Sequence, residues 1–268
     1  MRKILKCCSS WRERSSRRSK GINLAGYPMR WIYISPHFDD AVLSCGGLIF
    51  EQTRQGLPVE IWTVCAGDPP PGPLSPLAQV IHFQWGTTTA EETVLLRTEE
   101  DNSAAALVGA ETCRFGIPDC IYRRSPQGDL LYIEDVFGPR HLHEADLDAG
   151  IAAALAEELR PDDILVCPLT VGGHLDHVLT RQSVERLKRP LWYYADIPYL
   201  LDHPEALEPA TSGLHARSFD VTEAGLAAWQ DGIAAYRSQI KMLFETEEKM
   251  RAAIHLYWSG RRALQLWQ

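Results

Sequence analysis

No apolar run in this 268-residue chain approaches the ~20 residues that a membrane-spanning helix needs. The first thirty residues contain no apolar core of the kind a secretory signal requires, which argues against export. The seven cysteines are an odd number and include no C-x-x-C pair, so neither a disulfide framework nor a zinc ribbon is suggested. A reducing, cytoplasmic setting fits, with Cys65 and Cys167 falling in strand-like apolar runs where thiols act as small hydrophobes. No G-x-G-x-x-G follows the first predicted strand, which counts against a dinucleotide site. No internal repeat is visible.

Acidic residues are almost missing from the N-terminus. Residues 1–30 hold nine Lys or Arg against the single acid Glu13, a net of +8. The chain as a whole carries −8, so residues 31–268 carry −16. The serine-rich stretch 1–28 shows no hydrophobic periodicity and is expected to be a disordered extension, with Met29 standing directly before the first strand. An acidic body argues against nucleic acid as the main partner. What remains, residues 29–268, has the length and the 45% apolar, 23% charged composition of one large soluble domain.

Two stretches carry the chemistry. The first, WIYISPHFDDAVLSCGG, opens with the strand-like run Trp31–Ser35 and is stopped by Pro36. His37, Asp39 and Asp40 then occupy a turn before an amphipathic segment that reads as a helix ending near Gly56. The second, GGHLDH, follows a like run, Asp163–Cys167, stopped by Pro168, and delivers His174, Asp176 and His177 to the start of another helix. Open α/β sheets place ligands where strands hand over to helices, and parallel neighbours would bring the two loops to one rim. Catalytic zinc sites use three N/O ligands and leave a place for water. His37, Asp40 and His177 are the expected ligands, for Zn2+ or another divalent transition metal. Buried imidazoles and carboxylates cost several kcal/mol unless paired or metal-bound, so both motifs together are hard to explain as packing.

SPHFDDAVLSCGG and GGHLDH, in this order, resemble the zinc-dependent N-acetylglucosamine de-N-acetylase family of PIG-L and LmbE-like proteins. Pro36, His37, Asp39, Asp40, Gly46, Gly47, His174, Asp176 and His177 match its motifs; Phe38, Ala41 and Gly172 depart from them. Gly172 stands where some thiol-pathway members place a tyrosine. The resemblance implies a Rossmann-like, three-layer α/β/α single domain with a mostly parallel sheet. It also implies removal of an N-acetyl group from an amino-sugar substrate.

Other positions are less determined by the sequence. Arg97 and Glu100 lie three apart on a long helical stretch, Thr89–Ala110, a spacing that suits a surface pair; the resemblance implies instead that they face the pocket. Asp119 follows a short strand and is a candidate polyol contact, and Asp196 follows the strand Leu191–Tyr194 as a candidate at the rim. Residues 67–76, rich in proline and glycine, are either a wall over the site or a plain connector. Cys45 lies one helical turn beyond Asp40 and is expected to pack. Residues 222–258 read as helix against the sheet, and the remaining histidines, His82 among them, are expected to have no site role.

In the expected mechanism Asp39 acts as general base on a metal-activated water, and protonated His174, oriented by Asp176, stabilises the oxyanion. Two alternatives remain: an amidase for a thiol conjugate or other amide, and an inactive sugar-binding module. Subunit number, including a homo-oligomer, is left open by the sequence.

Overall fold

The computed structural model describes residues 29–268, and the expectation for residues 1–28 lies outside the described residues. The strand β1 (Trp31–Ser35) leads into α1 (Asp40–Arg54), and β2 (Val59–Thr63) follows. Then come α2 (Pro76–Trp85), α3 (Ala90–Val108) and β3 (Glu111–Arg114). After an irregular segment, α4 (Leu147–Glu158), β4 (Ile164–Pro168), α5 (Leu175–Glu185) and β5 (Leu191–Tyr194) complete the alternating part. Two single-turn helices, α6 (Tyr199–Asp202) and α7 (Leu207–Ala210), precede β6 (Ala216–Asp220). The chain ends with α8 (Glu223–Ala234), α9 (Arg237–Phe244), α10 (Glu247–Ser259) and β7 (Ala263–Trp267).

Local chemistry sets the element ends. Ser75 caps α2 by accepting from Ala78 N–H, Pro76 takes the first helical position, and Gly86 (φ +76°) closes the helix in the left-handed region. Thr89 and Gly109 do the same for α3. One sheet holds all seven strands in the order β3-β2-β1-β4-β5-β7-β6. The first five are parallel, with Tyr33 opposite Ile61 of β2 and Val166 of β4. The last two are antiparallel additions, an edge that the reading of the sequence did not include. The α/β/α expectation otherwise holds, with a mostly parallel sheet between helical layers.

Strand alternation feeds two cores. Tyr33 points into the one built with α1, α3, α8 and α10, while Ile32 and Ile34 point into the other, built with α4 and α5. Cys45 and Cys167 are buried among apolar side chains, as expected of packing thiols; Cys65 is buried too, but its sulfur lies within 4.8 Å of ligand atoms of His37 and Asp176. The paired glycines of α1 let α8 come close. A Cβ at Gly46 would lie 2.6 Å from Trp229 Cδ1, and the Trp229 indole N–H reaches the carbonyls of Val42 and Leu43 at 2.9 and 3.0 Å. Residues 222–258 are three helices in place of one stretch, broken at Ala235–Tyr236 and at Glu245 (φ +66°). No helix among the described residues is long and apolar enough to cross a membrane.

Candidate active site

Strand order reverses between β1 and β4, so the loops that leave their C-terminal ends splay apart and open a crevice. Both motifs sit there. The turn after β1 is shaped by Ser35, whose hydroxyl donates to His37 O (2.6 Å) and accepts from Ala41 N–H (3.0 Å). Asp40 Oδ2 accepts from His37 N–H at 2.7 Å, which holds the Asp40 carboxylate over the turn. Asp39, one residue earlier, sends its carboxylate to Arg97 instead (3.1 Å).

His37 and His177 meet across Asp40. His37 Nδ1 is 3.3 Å from Asp40 Oδ2, and His177 Nε2 is 3.3 Å from Asp40 Oδ1. The far nitrogen of each ring faces a second buried carboxylate: His37 Nε2 lies 3.2 Å from Asp176 Oδ2, and His177 Nδ1 lies 2.7 Å from Asp196 Oδ1. A carboxylate oxygen only accepts, and both nitrogens of each ring face one; burial opposes a second proton, but the surrounding acids outweigh it and raise His37 well above its ordinary value and His177 to about 9. A divalent cation seated among Asp40 and the two rings would take the place of the inner protons. An outer carboxylate that fixes the tautomer of a ligating histidine is the usual support of a metal site. The third imidazole, His174, has a ligand nitrogen that lies with one from each of the other two rings within 4.8 Å of one another. His37 and His177 with the Asp40 carboxylate between them form an N/N/O donor set that fits a divalent cation such as zinc.

His174 caps α5, its Nδ1 accepting from Asp176 N–H at 3.2 Å. That leaves the proton on Nε2 of a neutral ring. Burial, reinforced by the neighbouring His37 and His177, holds the imidazole well below its ordinary value. This corrects the expectation of a protonated His174 oriented by Asp176. The Asp176 carboxylate is turned away from it, taken up by Arg123 Nη2 (2.5 Å), Cys120 N–H (3.0 Å) and His37. The reason lies in the helix start: Asp176 is in the first turn of α5, where its side chain points back toward the 120–123 segment.

Asp39 is buried, and burial raises its carboxyl above the ordinary value against the opposing charge of Arg97. Arg97 in turn lies flat over Trp85, 4.7 Å from the ring, and 4.0 Å from Asp119. Asp119 Oδ2 is 3.8 Å from His37 Nε2, so this residue does reach the cluster. Two expectations need correction. Glu100 faces away from the pocket: it accepts from Ser238 N–H (2.8 Å) and Ser238 Oγ (2.6 Å) and so anchors the start of α9. The i,i+3 spacing would let the two pair, but Arg97 turns to Asp39 and Glu100 to Ser238, and they form no ion pair. Asp196 is not at the rim. It is 1% exposed, and behind His177 it also accepts Val171 N–H at 3.0 Å.

Several residues outside the two motifs surround the cluster. Arg123 bridges Asp176 and Glu144 (2.7 Å), tying the irregular 120–146 segment to the site. Tyr236, at the break between α8 and α9, donates to Phe38 O at 2.8 Å. His82, expected to be idle, is buried with its Nε2 2.7 Å from Tyr122 Oη. Tyr199 fills the space beside Gly172, where a Cβ would meet its ring at 2.4 Å, and packs edge-on to His177. Gly172, with φ +90°, is one of the departures from the family pattern, and Tyr199 ends the Tyr193–Tyr199 stretch that resembles it.

Comparison with known proteins finds similar chains. The chain is 26% identical over 264 residues to 2'-N-acetylparomamine deacetylase of Niallia circulans, covering 89% of this chain and 93% of that one. Its fold superposes on the zinc-inhibited form of a teicoplanin deacetylase with a TM-score of 0.74 at 25% identity, covering 89% and 97% of the two chains. The N,N'-diacetylchitobiose deacetylase of Pyrococcus horikoshii shares the fold at a TM-score of 0.52 and 16% identity, over 89% and 82%. The family model described as PIG-L, GlcNAc-PI de-N-acetylase, matches residues 32–188, a span that runs from β1 to just past α5 and takes in both motifs. With more than half its length inside that match, the chain belongs to the PIG-L family of de-N-acetylases.

Proposed function

We propose that the domain formed by residues 29–268 is a metal-dependent hydrolase that removes an N-acetyl group from an amino-sugar compound. One observation carries the reading: Asp40 lies between two imidazoles, each backed by its own buried carboxylate. His37, Asp40 and His177 would hold Zn2+, which when bound polarises an amide carbonyl and lowers the pKa of water toward ~7. The printed names of the relatives, deacetylases of 2'-N-acetylparomamine and teicoplanin, support an N-acyl amino-sugar substrate.

The chain's own groups divide the remaining work. Asp39 holds one oxygen on Arg97, and its other oxygen takes the proton of the attacking water. Burial, by raising its proton affinity, suits it to that task. His174 Nε2–H donates a hydrogen bond to the amide oxygen as negative charge develops there. The bond from water oxygen to the acyl carbon forms, the C–N bond breaks, and the proton on Asp39 passes to the leaving amine. Arg97 keeps Asp39 aimed, and Asp119, within reach of both Arg97 and His37, is placed to receive a sugar hydroxyl.

The test is metal analysis of protein purified without chelator, paired with acetate release from a panel of N-acetylated amino sugars. Acetate release that follows metal content supports the hydrolase. Stoichiometric metal with no release from any amide in the panel leaves the sugar-binding module as the reading.

A further inference from the structure

The proline-rich segment between β2 and α2 has no part in the chemistry above. It is fastened at both ends. Gly67 N–H donates to Ile117 O at 2.8 Å, and a Cβ on Gly67 would come within 2.5 Å of the Gly116 backbone. At the other end Arg124 donates to Pro73 O and to Gly128 O (2.9 Å), crossing Gly72, whose φ of +134° and missing side chain leave room for that guanidinium. A segment held this way is a fixed wall.

Behind it lies a cavity of about 220 Å³, lined by none of the clustered histidines. Pro69, Pro70 and Pro73 form one side, and the first turn of α3, with Thr89 and Glu91, forms the other. Tyr122 lines its floor and also lines the small adjoining cavity bounded by Arg97, Asp119 and Trp85. Tyr122 is thus the joint between this space and the neighbourhood of Asp39. The volume falls below the ~300 Å³ at which pockets begin to enclose a whole drug-sized ligand, and suits a single ring.

The lining charges select the ring. Arg124 keeps its positive charge, but both its terminal nitrogens are committed to backbone carbonyls, which leaves Glu91 as the lining charge without a partner among the described residues. The exposed Glu91 carboxylate makes no hydrogen bond or ion pair among the described residues, and its charge is felt at the Tyr122 phenol. The net of −16 over residues 31–268 further favours the approach of a cation.

We propose that this cavity is a distal subsite for a second, amine-bearing ring of the substrate, its apolar face on the prolines and its ammonium beside Glu91. The proposal rests on the deacetylase reading for what occupies the catalytic crevice, and the experiment separates the two. Metal-loaded enzyme is assayed with N-acetylglucosamine and with a glucosamine dimer acetylated on one ring only. Binding of the fully deacetylated dimer is measured by calorimetry, and each measurement is repeated with Glu91→Gln. The expected result is a KM for the amine-bearing dimer about tenfold below that of the monosaccharide. Glu91→Gln is expected to remove about fivefold of that preference and to leave monosaccharide turnover unchanged. The preference should also shrink as salt is raised. Glu91-dependent dimer binding without turnover of any sugar would keep the subsite and remove the deacetylase reading. Turnover with equal preference in wild type and Glu91→Gln would overturn the subsite and leave the deacetylase reading in place.

Discussion

Asp39 and Asp40 are adjacent and chemically identical, yet one carboxylate is given to an arginine and the other to two imidazoles. That division separates proton transfer from metal binding, and it can be measured. Asp39→Asn should lower acetate release by about 10²–10⁴-fold while metal content stays stoichiometric; full activity in that variant would remove Asp39 as the base. Asp196→Asn keeps the shape behind His177 but loses the charge, and should weaken metal affinity by about 10–100-fold in a competition titration against a chelator. Arg123 sits between the buried acids Asp176 and Glu144. Arg123→Met strands both charges, at a cost of about 3–5 kcal/mol, and should lower the melting temperature by at least about 6 °C.

At the scale of elements, glycine shows how context reverses the sign of one substitution. In α1, Gly46 faces the Trp229 indole at a distance that leaves no space for a methyl group. Gly46→Ala should destabilise by about 1–3 kcal/mol through overpacking of α1 on α8, read as a lower midpoint in urea with an unchanged slope. In α4, Gly150 has ordinary helical backbone and nothing within 4 Å of a built Cβ. Gly150→Ala should stabilise by about 0.5–1 kcal/mol, because only the unfolded chain loses freedom. The helices α8 and α9 also serve the site from outside its own loops: Tyr236, between them, holds Phe38 O, and Ser238 holds Glu100.

For the whole molecule, one buried acid away from the metal ligands couples stability to pH. Asp101 is enclosed by α3, β3 and the α8–α9 junction, where burial, opposed by Arg114 and the Tyr236 hydroxyl, raises its carboxyl from 3.8 to about 6. Between those values the folded state binds more protons than the unfolded chain. The stabilising contribution of the protonated form is therefore complete below about pH 3.8 and is lost as pH rises through about 6. A protonated Asp101 can donate to Tyr236 Oη, 3.1 Å away, while that hydroxyl donates to Phe38 O. Asp101→Asn supplies the same donor at every pH. The stability difference between wild type and Asp101→Asn should shift against the wild type from pH 4 to above 6, followed by thermal melts; a constant difference would rule the linkage out.

The motif residues His37, Asp39, Asp40, His174, Asp176 and His177, and the strands and helices on either side of them, were legible in the sequence. Polar ionisable side chains directly after apolar runs are costly unless they share a task, and proline and glycine mark where each run stops. Hydrophobic period likewise determined the parallel strands β1, β2, β4 and β5, since strands buried on both faces read as short continuous apolar runs. The antiparallel edge β6–β7 was not legible, because β6 is largely exposed and its pattern carries no such run. Which carboxylate serves which imidazole was decided only by the tertiary structure. Asp176 and Asp196 back His37 and His177 through contacts that span 139 and 19 residues of chain, and local spacing holds no record of the direction a side chain takes after folding. The same holds for Arg123 and Glu100, whose partners are chosen by how the loop over residues 120–146 and the helix α9 close on the sheet.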